Sequence, residues 1–229
     1  MLENQVIVIT GGTRGIGKGV VNLLLQEGAK TIVLAKTRES IGNLEQKLGS
    51  SGDLDCYICD ITSMNEVSQV INEIYETYGR IDTFINNAGV GVFKPVEDMT
   101  EEDWDTQINT NLKGAFLCSQ AAYKIMMKGK GGQIINIASD LAYHGREKAT
   151  IYCASKFGLL GLSQSMNIEG KEYGIRVTTV SPGLVQTDFG GVSAAKKTSG
   201  LTIETVAKQI LSVIKTGRDA AEVEVIIRP

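Results

Sequence analysis

VIVITGGTRGIG, residues 6–17, places a glycine-rich turn directly after an apolar run. The run from Gln5 to Ile9 is typical of a buried parallel strand, and a helical pattern follows the turn, with apolar side chains from Val20 to Leu25 on one face. The glycine spacing is Gly-x-x-x-Gly-x-Gly rather than the common Gly-x-Gly-x-x-Gly. Because a turn without side chains lets the backbone approach a pyrophosphate at a helix N-terminus, this element predicts a dinucleotide site. The alternative is a tight turn without a ligand.

The end of the next predicted strand, Thr31–Ala35, bears on the choice of dinucleotide. A fold that prefers NAD places a carboxylate there for the adenosine ribose. Here the chain continues with Lys36, Thr37 and Arg38, and no acid follows the strand. Lys36, Arg38 and Arg14 of the glycine turn are therefore predicted to pair with the 2′-phosphate of NADP(H). The alternative is that Lys36 and Arg38 only solvate the start of a helix.

Strand and helix patterns alternate along the whole chain. Strand-like runs occur at about residues 5–10, 31–35, 54–59, 81–86, 133–138, 175–180 and 222–227. Helical patterns fill the gaps, with starts at Ser63 and at Thr100, the second continuing to Phe116. This order predicts an α/β protein: a single-domain Rossmann fold over residues 1–229, with a seven-stranded parallel sheet flanked by helices on both faces. The segment 188–203 is the least patterned and is predicted to be a mobile substrate loop.

Composition favours a soluble metabolic protein. The chain has 229 residues, 42% of them hydrophobic, and a net charge of -3 without a basic run, so neither nucleic acid nor a membrane surface is an expected partner. No leader-like or membrane-spanning stretch is recognised, which leads us to expect a cytoplasmic location. Cys56 and Cys59 have Cys-x-x-Cys spacing, but we expect small buried residues on opposite faces of a strand and no metal site. The single histidine, His144, is expected in a surface loop, with substrate contact as the alternative.

Tyr152 and Lys156 are the candidate catalytic pair. Residues four apart lie on one face of a helix, so the Lys156 ammonium is expected beside the Tyr152 hydroxyl. A neighbouring cation stabilises a phenolate, and we therefore expect a lowered Tyr152 pKa and a role in proton exchange. Ser139 lies just upstream, at the end of an apolar run.

Several motifs in order resemble the short-chain dehydrogenase/reductase family over essentially the whole chain. Thr10–Gly17 matches the family's glycine turn, Asn86–Gly89 its Asn-Asn-Ala-Gly segment, and Pro182–Thr187 its Pro-Gly-x-x-x-Thr segment. The resemblance implies the catalytic residues Asn111, Ser139, Tyr152 and Lys156. With the basic residues named above, it gives these cofactor-binding residues: Gly11, Thr13, Arg14, Gly15, Ile16, Gly17, Lys36, Arg38, Asp60, Ile61, Asn87, Ala88, Gly89, Tyr152, Lys156, Pro182, Gly183, Val185 and Thr187.

The resemblance also implies a reaction, in which hydride passes between the nicotinamide and a carbonyl group or a secondary alcohol. Tyr152 exchanges the proton, Ser139 orients the carbonyl oxygen, Lys156 holds the nicotinamide ribose, and Asn111 positions a water that links Lys156 to solvent. No metal is required. The Asn111 and Tyr152 helices are expected to pack in a homodimer or homotetramer, although the short C-terminal tail puts the tetramer in doubt.

Substrate identity is left with alternatives. The resemblance is to 3-oxoacyl-carrier-protein reductases, with an acyl thioester as substrate; a reductase of small keto or hydroxy compounds is the rival. A non-catalytic NADP(H)-binding sensor is the hypothesis from another class. The brief loop after Asp188 is expected to leave the substrate pocket open. Lys196 and Lys197 in this loop either contact an acidic carrier protein or phosphopantetheine, or are merely solvated.

Overall fold

The computed structural model describes residues 1–48, 52–217 and 223–229. Seven strands form one parallel sheet: β1 Val6–Thr10, β2 Lys30–Ala35, β3 Leu54–Ile58, β4 Thr83–Asn86, β5 Gly132–Ile137, β6 Ile175–Pro182 and β7 Glu224–Ile227. Their order is β3-β2-β1-β4-β5-β6-β7. The chain thus moves outward from β1 to one edge and then from β4 to the other, which leaves a switch in strand order between β1 and β4. The predicted fold class is confirmed.

The main helices lie between the strands in sequence: α1 Gly15–Gln26, α2 Arg38–Leu48, α3 Met64–Tyr78, α4 Glu101–Ile108, α5 Ala115–Lys128, α6 Thr150–Gly170 and α7 Ile203–Lys215. Successive strand residues feed two cores. Val8 packs in the core that holds the buried faces of α3 and α5, whereas Ile9 packs in the core with α1 and α7. Side chains that alternate along each strand therefore pack against helices on both faces of the sheet.

The helix predicted from Thr100 to Phe116 is one continuous path with an inserted wide turn. Thr100 caps α4 in a reciprocal capping box with Asp103. Residues Asn109–Gly114 then form a π-helical segment before α5 begins. Trp104 and Phe116, two residues of the apolar repeat that predicts this helix, are exposed, so the repeat does not mark the face that packs on the sheet and does not show where the π turn lies.

The observed strand ends differ from the predicted ends by two residues at most. The predicted start of the last strand, residue 222, lies outside the described residues. The predicted opposite orientation of the two cysteines is confirmed, since Cys59 packs in the α3 and α5 core and Cys56 against the α1 and α7 core. Within the described ranges, no helix combines the length and apolar character needed to cross a bilayer.

Candidate active site

A cavity of about 1130 Å³ lies at the carboxyl ends of the central strands. Its wall includes Gly11 after β1, Lys36 after β2 and Asp60 after β3. On the other side of the switch in strand order it includes the residues after β4, β5 and β6, among them Ala88 and Ser139. In open parallel sheets, ligands bind at this place because the loops from neighbouring strands diverge there.

The glycine turn forms the floor of one end of this cavity. Gly11 has a φ of 66° and a Cβ there would lie 2.9 Å from the Ala88 Cα, so only glycine lets the loops after β1 and β4 meet. No side chain caps the first turn of α1, and that turn contains no acidic residue. Its N–H groups are thus available to a phosphate, and the turn fits a dinucleotide.

Gly17 packs against the glycine turn itself rather than lining the cavity. A Cβ at Gly17 would lie 2.4 Å from both the Gly11 carbonyl oxygen and the Asn87 side-chain nitrogen. The Asn87 amide donates to the Thr10 and Gly11 carbonyls, each at 3.0 Å. Gly17 and the Asn87 side chain therefore set the shape of the turn, and Gly17 is not part of the cavity wall.

Two of the three basic residues predicted for the 2′-phosphate reach the cavity. Lys36 and Arg14 line it, whereas Arg38 is exposed at the start of α2 outside it. Lys36 Nζ pairs with Asp60 Oδ2 at 2.7 Å, and Arg14 donates to the Asp188 carbonyl at 2.9 Å. Burial raises the pKa of Asp60, but the Lys36 and Thr62 hydrogen bonds outweigh it and bring the pKa to about 2. Asp60 is thus a carboxylate whose charge Lys36 balances.

Tyr152, Lys156 and Ser139 all line this cavity, and the Ser139 hydroxyl lies close enough to Tyr152 to act on its pKa. Tyr152 lies in the first turn of α6, and Lys156 follows one turn later with its Nζ 5.7 Å from the Tyr152 ring centroid. Lys156 Nζ donates to the Ile137 carbonyl at the end of β5, at 2.9 Å. The Ser139 hydroxyl donates to Asp140 Oδ1 at 3.1 Å and accepts from the Leu141 N–H at 3.2 Å.

The predicted lowering of the Tyr152 pKa is wrong for this structure. Burial raises the pKa of Tyr152 well above its ordinary value; the Ser139 hydroxyl opposes this and the Asp140 charge adds to it. Burial also lowers the pKa of Lys156, to about 8. The reason is that the interior disfavours the charged form of both groups, and the Lys156 ammonium is turned to a carbonyl beside the ring.

Asn111 lies behind this group, in the π-helical segment. Its amide donates to the Val90 carbonyl at 2.8 Å and accepts from the Val90 N–H at 2.8 Å, and it also donates to Ser155 Oγ at 3.0 Å. A Cβ at Gly89 would lie 3.3 Å from Asn111 Oδ1 and 3.8 Å from Lys156 Nζ. Asn111 thus holds the loop after β4 against α6, and its side chain stands outside the cavity wall.

Hydrogen bonds hold the loop after Asp188 in place, and this loop packs on Tyr152. Lys197 is 9% exposed and its Nζ donates to the carbonyls of Thr187 at 2.7 Å and Phe189 at 3.0 Å. In this conformation the Lys197 amine is bound to the protein's own carbonyls, although Lys197 also lines the cavity. Phe189 packs on the Tyr152 ring with centroids 5.8 Å apart, so the pocket is not open in the way the short loop suggested.

Several residues of the cavity wall are not predicted by the sequence: Ser40, Phe93, Asp140 and Arg146. They belong to separate loops or helix starts and share no motif. His144, expected at the surface, is exposed and also lines the cavity. Across the described ranges, no three His, Cys, Asp or Glu side chains form a group able to hold a metal ion.

The remaining predicted cofactor residues are distributed around the same cavity. Its wall contains Gly11, Thr13, Arg14, Gly15, Ile16, Lys36, Asp60, Ile61, Asn87, Ala88, Gly89, Tyr152, Lys156, Pro182, Gly183, Val185 and Thr187. Only Gly17 and Arg38 of the predicted cofactor set are absent from the wall.

Comparison with known proteins agrees with this geometry. The family model described as short chain dehydrogenase matches residues 5–198. A 3-oxoacyl-[acyl-carrier-protein] reductase of Thermotoga maritima is 37% identical over 187 residues, which cover 81% of this chain and 76% of that protein. An uncharacterized oxidoreductase of Staphylococcus aureus strain USA300 is 30% identical over 229 residues, covering 100% of this chain and 99% of the relative.

Two solved structures bear on the cofactor. A metagenomic short-chain oxidoreductase in complex with NADP superposes with a TM-score of 0.87 at 29% identity, covering 100% of this chain and 98% of that one. The closed form of a serine dehydrogenase complexed with NADP+ superposes with a TM-score of 0.91 at 26% identity, covering 98% of this chain and 95% of that one.

Proposed function

Because this chain belongs to the short-chain dehydrogenase family and is an NADP(H)-dependent oxidoreductase, we propose that it works as a carbonyl reductase with Tyr152 as its acid. The observation that supports this most directly is the meeting of Tyr152, Lys156 and Ser139 in the cavity that the glycine turn closes at its other end. Positioned acids and oriented donors are what such a reaction asks of the protein, since the cofactor carries the hydride.

The cofactor would be held by the glycine turn, by Lys36 and Arg14 at its 2′-phosphate, and by Lys156 at the nicotinamide ribose. When bound it supplies the hydride that goes to the carbonyl carbon. Tyr152 donates its hydroxyl proton to the carbonyl oxygen in reduction and takes it back in oxidation. Ser139 orients that oxygen by donating a hydrogen bond to it. The Ser139 hydroxyl, which donates to Asp140 Oδ1 in this structure, would then donate to the substrate oxygen instead.

Asn111 has the role of a positioning residue in this proposal. Its paired bonds to Val90 and its place beside Lys156 keep the loop after β4 in register with α6. A water held there would link the Lys156 amine to solvent and resupply the proton that Tyr152 gives up. The lowered pKa of Lys156, about 8, suits a group that passes protons near neutral pH.

Two substrate classes are supported by different observations. The Thermotoga maritima relative favours a 3-oxoacyl thioester on a carrier protein. A small keto compound is favoured by the Lys197 amine, which is bound to loop carbonyls, and by Phe189, which packs on Tyr152. Both side chains face inward, so fewer side chains of this loop can contact a carrier protein. A sensor without turnover is the third reading, and nothing in the geometry of the site favours it over catalysis.

The substitution Tyr152→Phe tests the assignment of the acid. Removing one hydroxyl should lower NADPH oxidation by roughly 10²–10⁴-fold, while NADPH binding, followed by cofactor fluorescence, stays unchanged. Tyr143→Phe is the matched control, because the Tyr143 hydroxyl bonds Glu224 and its side chain is not in the cavity wall. Full turnover by the Tyr152 variant would refute the acid. NADPH binding by the wild type without turnover on any ketone, keto acid or 3-oxoacyl thioester would favour the sensor.

We also propose that the chain forms a homo-oligomer through α4, α5 and α6. Large apolar side chains are exposed there, among them Trp104 at 49%, Phe116 at 39% and Phe157 at 45%. Such a patch is costly in contact with water and typical of an interface. Light scattering behind size-exclusion chromatography gives the mass: a monomer would refute the proposal, and a dimer that Phe157→Glu disrupts would support it.

A further inference from the structure

Three aromatic rings meet where the loops after β4 and β6 close over α6. The Phe93 and Phe189 ring centroids lie 5.4 Å and 5.8 Å from that of Tyr152, and 6.3 Å from each other. The interplanar angles, from 58° to 65°, are those of tilted and edge-to-face pairs, which aromatic rings prefer. This aromatic wall, Phe93 with Phe189, stands directly beside the hydroxyl-bearing ring that we assign as the acid.

Two glycines, Gly91 and Gly190, lie against the rings of the aromatic wall. A Cβ at Gly190, whose φ is 67°, would lie 2.2 Å from a Phe93 ring carbon. A Cβ at Gly91 would lie 2.8 Å from the Phe189 ring and 2.9 Å from the Phe93 ring. Two glycines from two separate loops thus leave space for these rings, so the wall is closely packed rather than a chance contact of surface side chains.

A cation borders the wall. The Arg146 guanidinium carbon lies 5.6 Å from the Phe93 ring centroid, within the range of a cation–π contact. The Phe93 ring therefore contacts both the Tyr152 ring and the Arg146 guanidinium. Phe93, Arg146 and Tyr152 all line the same cavity.

Within the part of the chain that the structure describes, Arg146 has no ion-pair partner. The acids of the cavity nearby have other partners: Asp140 accepts from the Ser139 hydroxyl and Asp188 accepts from the Ala194 N–H. A guanidinium held over a ring keeps its planar fork of donors, which matches the oxygens of a carboxylate or a phosphate.

We propose that Phe93, Phe189 and Arg146 determine the substrate specificity of this enzyme. They select a carbonyl compound whose reacting group is joined through an apolar or aromatic body to an anionic oxygen group, a carboxylate or a phosphate. The apolar body lies against the aromatic wall and the anion bonds Arg146. This inference rests on the proposed reductase function, because Tyr152 fixes where the reacting carbonyl sits.

The chemistry at the carbonyl is unchanged by this selection. The carbonyl carbon receives the hydride that NADPH supplies, its oxygen receives the Tyr152 proton, and the C=O double bond becomes a secondary alcohol. NADPH is oxidised to NADP+ in the same step, so no further reactant is needed.

Binding to the NADP+-loaded enzyme tests the proposal independently of turnover. The probes are 4-acetylbenzoate, the neutral and similarly shaped 4-acetylbenzamide, and 4-acetylphenyl phosphate, each titrated by calorimetry. The wild type should bind the anions about tenfold more tightly than the amide, the low end for a charged hydrogen bond because Arg146 is exposed. Added salt should reduce this preference. The carboxylate and phosphate titrations show which of the two anions the site prefers.

Substitutions assign the preference to Arg146. Arg146→Gln should abolish it while leaving the amide affinity unchanged, and Arg146→Lys should keep part of it. Lys148→Gln is the matched control: it removes the same charge from the same loop, but Lys148 is outside the cavity wall and lies near Glu147. Phe93→Ala should weaken all three probes, since it removes the apolar contact.

The outcomes separate the two proposals. Equal wild-type affinity for 4-acetylbenzoate and 4-acetylbenzamide, or an anion preference that survives Arg146→Gln, would overturn the role of Arg146. Unchanged affinities in Phe93→Ala would overturn the aromatic wall. NADPH oxidation is measured with the same probes in parallel. Selective binding without reduction of any carbonyl compound would refute the reductase function alone, whereas reduction without anion selection would refute this inference alone.

Discussion

Gly190 and Gly191 offer a test of how the aromatic wall controls the site. Both have positive φ, 67° and 74°, a conformation that costs alanine about 1–2 kcal/mol. They differ in their surroundings: a Cβ at Gly190 meets the Phe93 ring at 2.2 Å, while a Cβ at Gly191 has nothing within 4 Å. Comparing Gly190→Ala with Gly191→Ala therefore separates the backbone cost, which the two share, from displacement of the ring.

The magnitudes follow from these contacts. Alanine recovers about 0.4–1 kcal/mol by restricting the unfolded chain, so Gly191→Ala should cost between about 0 and 1.6 kcal/mol in the free energy of unfolding. An ordinary contact begins near 3.4 Å, so Gly190→Ala must push a Phe93 ring carbon back by more than an ångström from 2.2 Å. Overpacking of that kind adds about 1–3 kcal/mol. For a chain of this length, each kcal/mol lowers Tm by about 2–4 °C.

Thermal unfolding and steady-state kinetics are measured for both variants. We expect a lower Tm for Gly190→Ala than for Gly191→Ala, and a KM for the carbonyl substrate raised several-fold in Gly190→Ala alone. The KM for NADPH should be equal in the two variants. Because the loop lies at the surface, the Phe93 ring can also move outward, in which case the Tm difference shrinks and the KM difference grows. Variants that agree in both Tm and substrate KM would refute the reasoning.

Two further predictions concern the charges of the site. Replacing Arg14 and Lys36 by Gln should raise the KM for NADPH about tenfold or more and leave the KM for NADH unchanged, as expected for lost phosphate pairing. Arg38→Gln is the control, because Arg38 lies outside the cavity wall, and it should change neither KM. An equal effect on both cofactors would count against a 2′-phosphate site. Lys156→Met should abolish turnover yet stabilise the cofactor-free fold by roughly 1–3 kcal/mol at pH 7, because burial lowers the Lys156 pKa to about 8 and the unfolded chain binds the proton more tightly. Wild-type stability then rises with pH between about 8 and the ordinary lysine pKa, so the advantage of Lys156→Met in denaturation experiments should shrink by pH 10, and a constant advantage would contradict the assignment.

Lys156 illustrates a balance between stability and chemistry. The residue is 5% exposed, and its amine donates one hydrogen bond, to the Ile137 carbonyl. A buried amine with a single acceptor is unfavourable when protonated. The same environment keeps its pKa near 8, where the group can exchange protons close to neutral pH, so the cost in stability is linked to the proposed proton pathway.

The sequence alone determined the layers of the fold and the chemical type of the site. Strand and helix periods, the glycine turn and the i to i+4 spacing of Tyr152 and Lys156 are local features, and local geometry reports them directly. The turn at Gly11 could be predicted from the sequence because its positive φ and close approach to Ala88 require glycine. The sequence also led us to expect Ser139 and the residues after the other strands at one cavity, since the carboxyl ends of parallel strands come together at one edge of the sheet.

Only the tertiary structure decided which polar and aromatic side chains reach the cavity. Arg14 and Lys36 line it while Arg38 does not, although all three look alike in sequence. Lys197 turns inward to two carbonyls, and Phe93 meets Arg146 across separate loops. These outcomes depend on the path of each loop and on burial, which add contacts between residues far apart in sequence. A local pattern carries no record of such contacts, and for the same reason it did not show that burial raises the pKa of Tyr152.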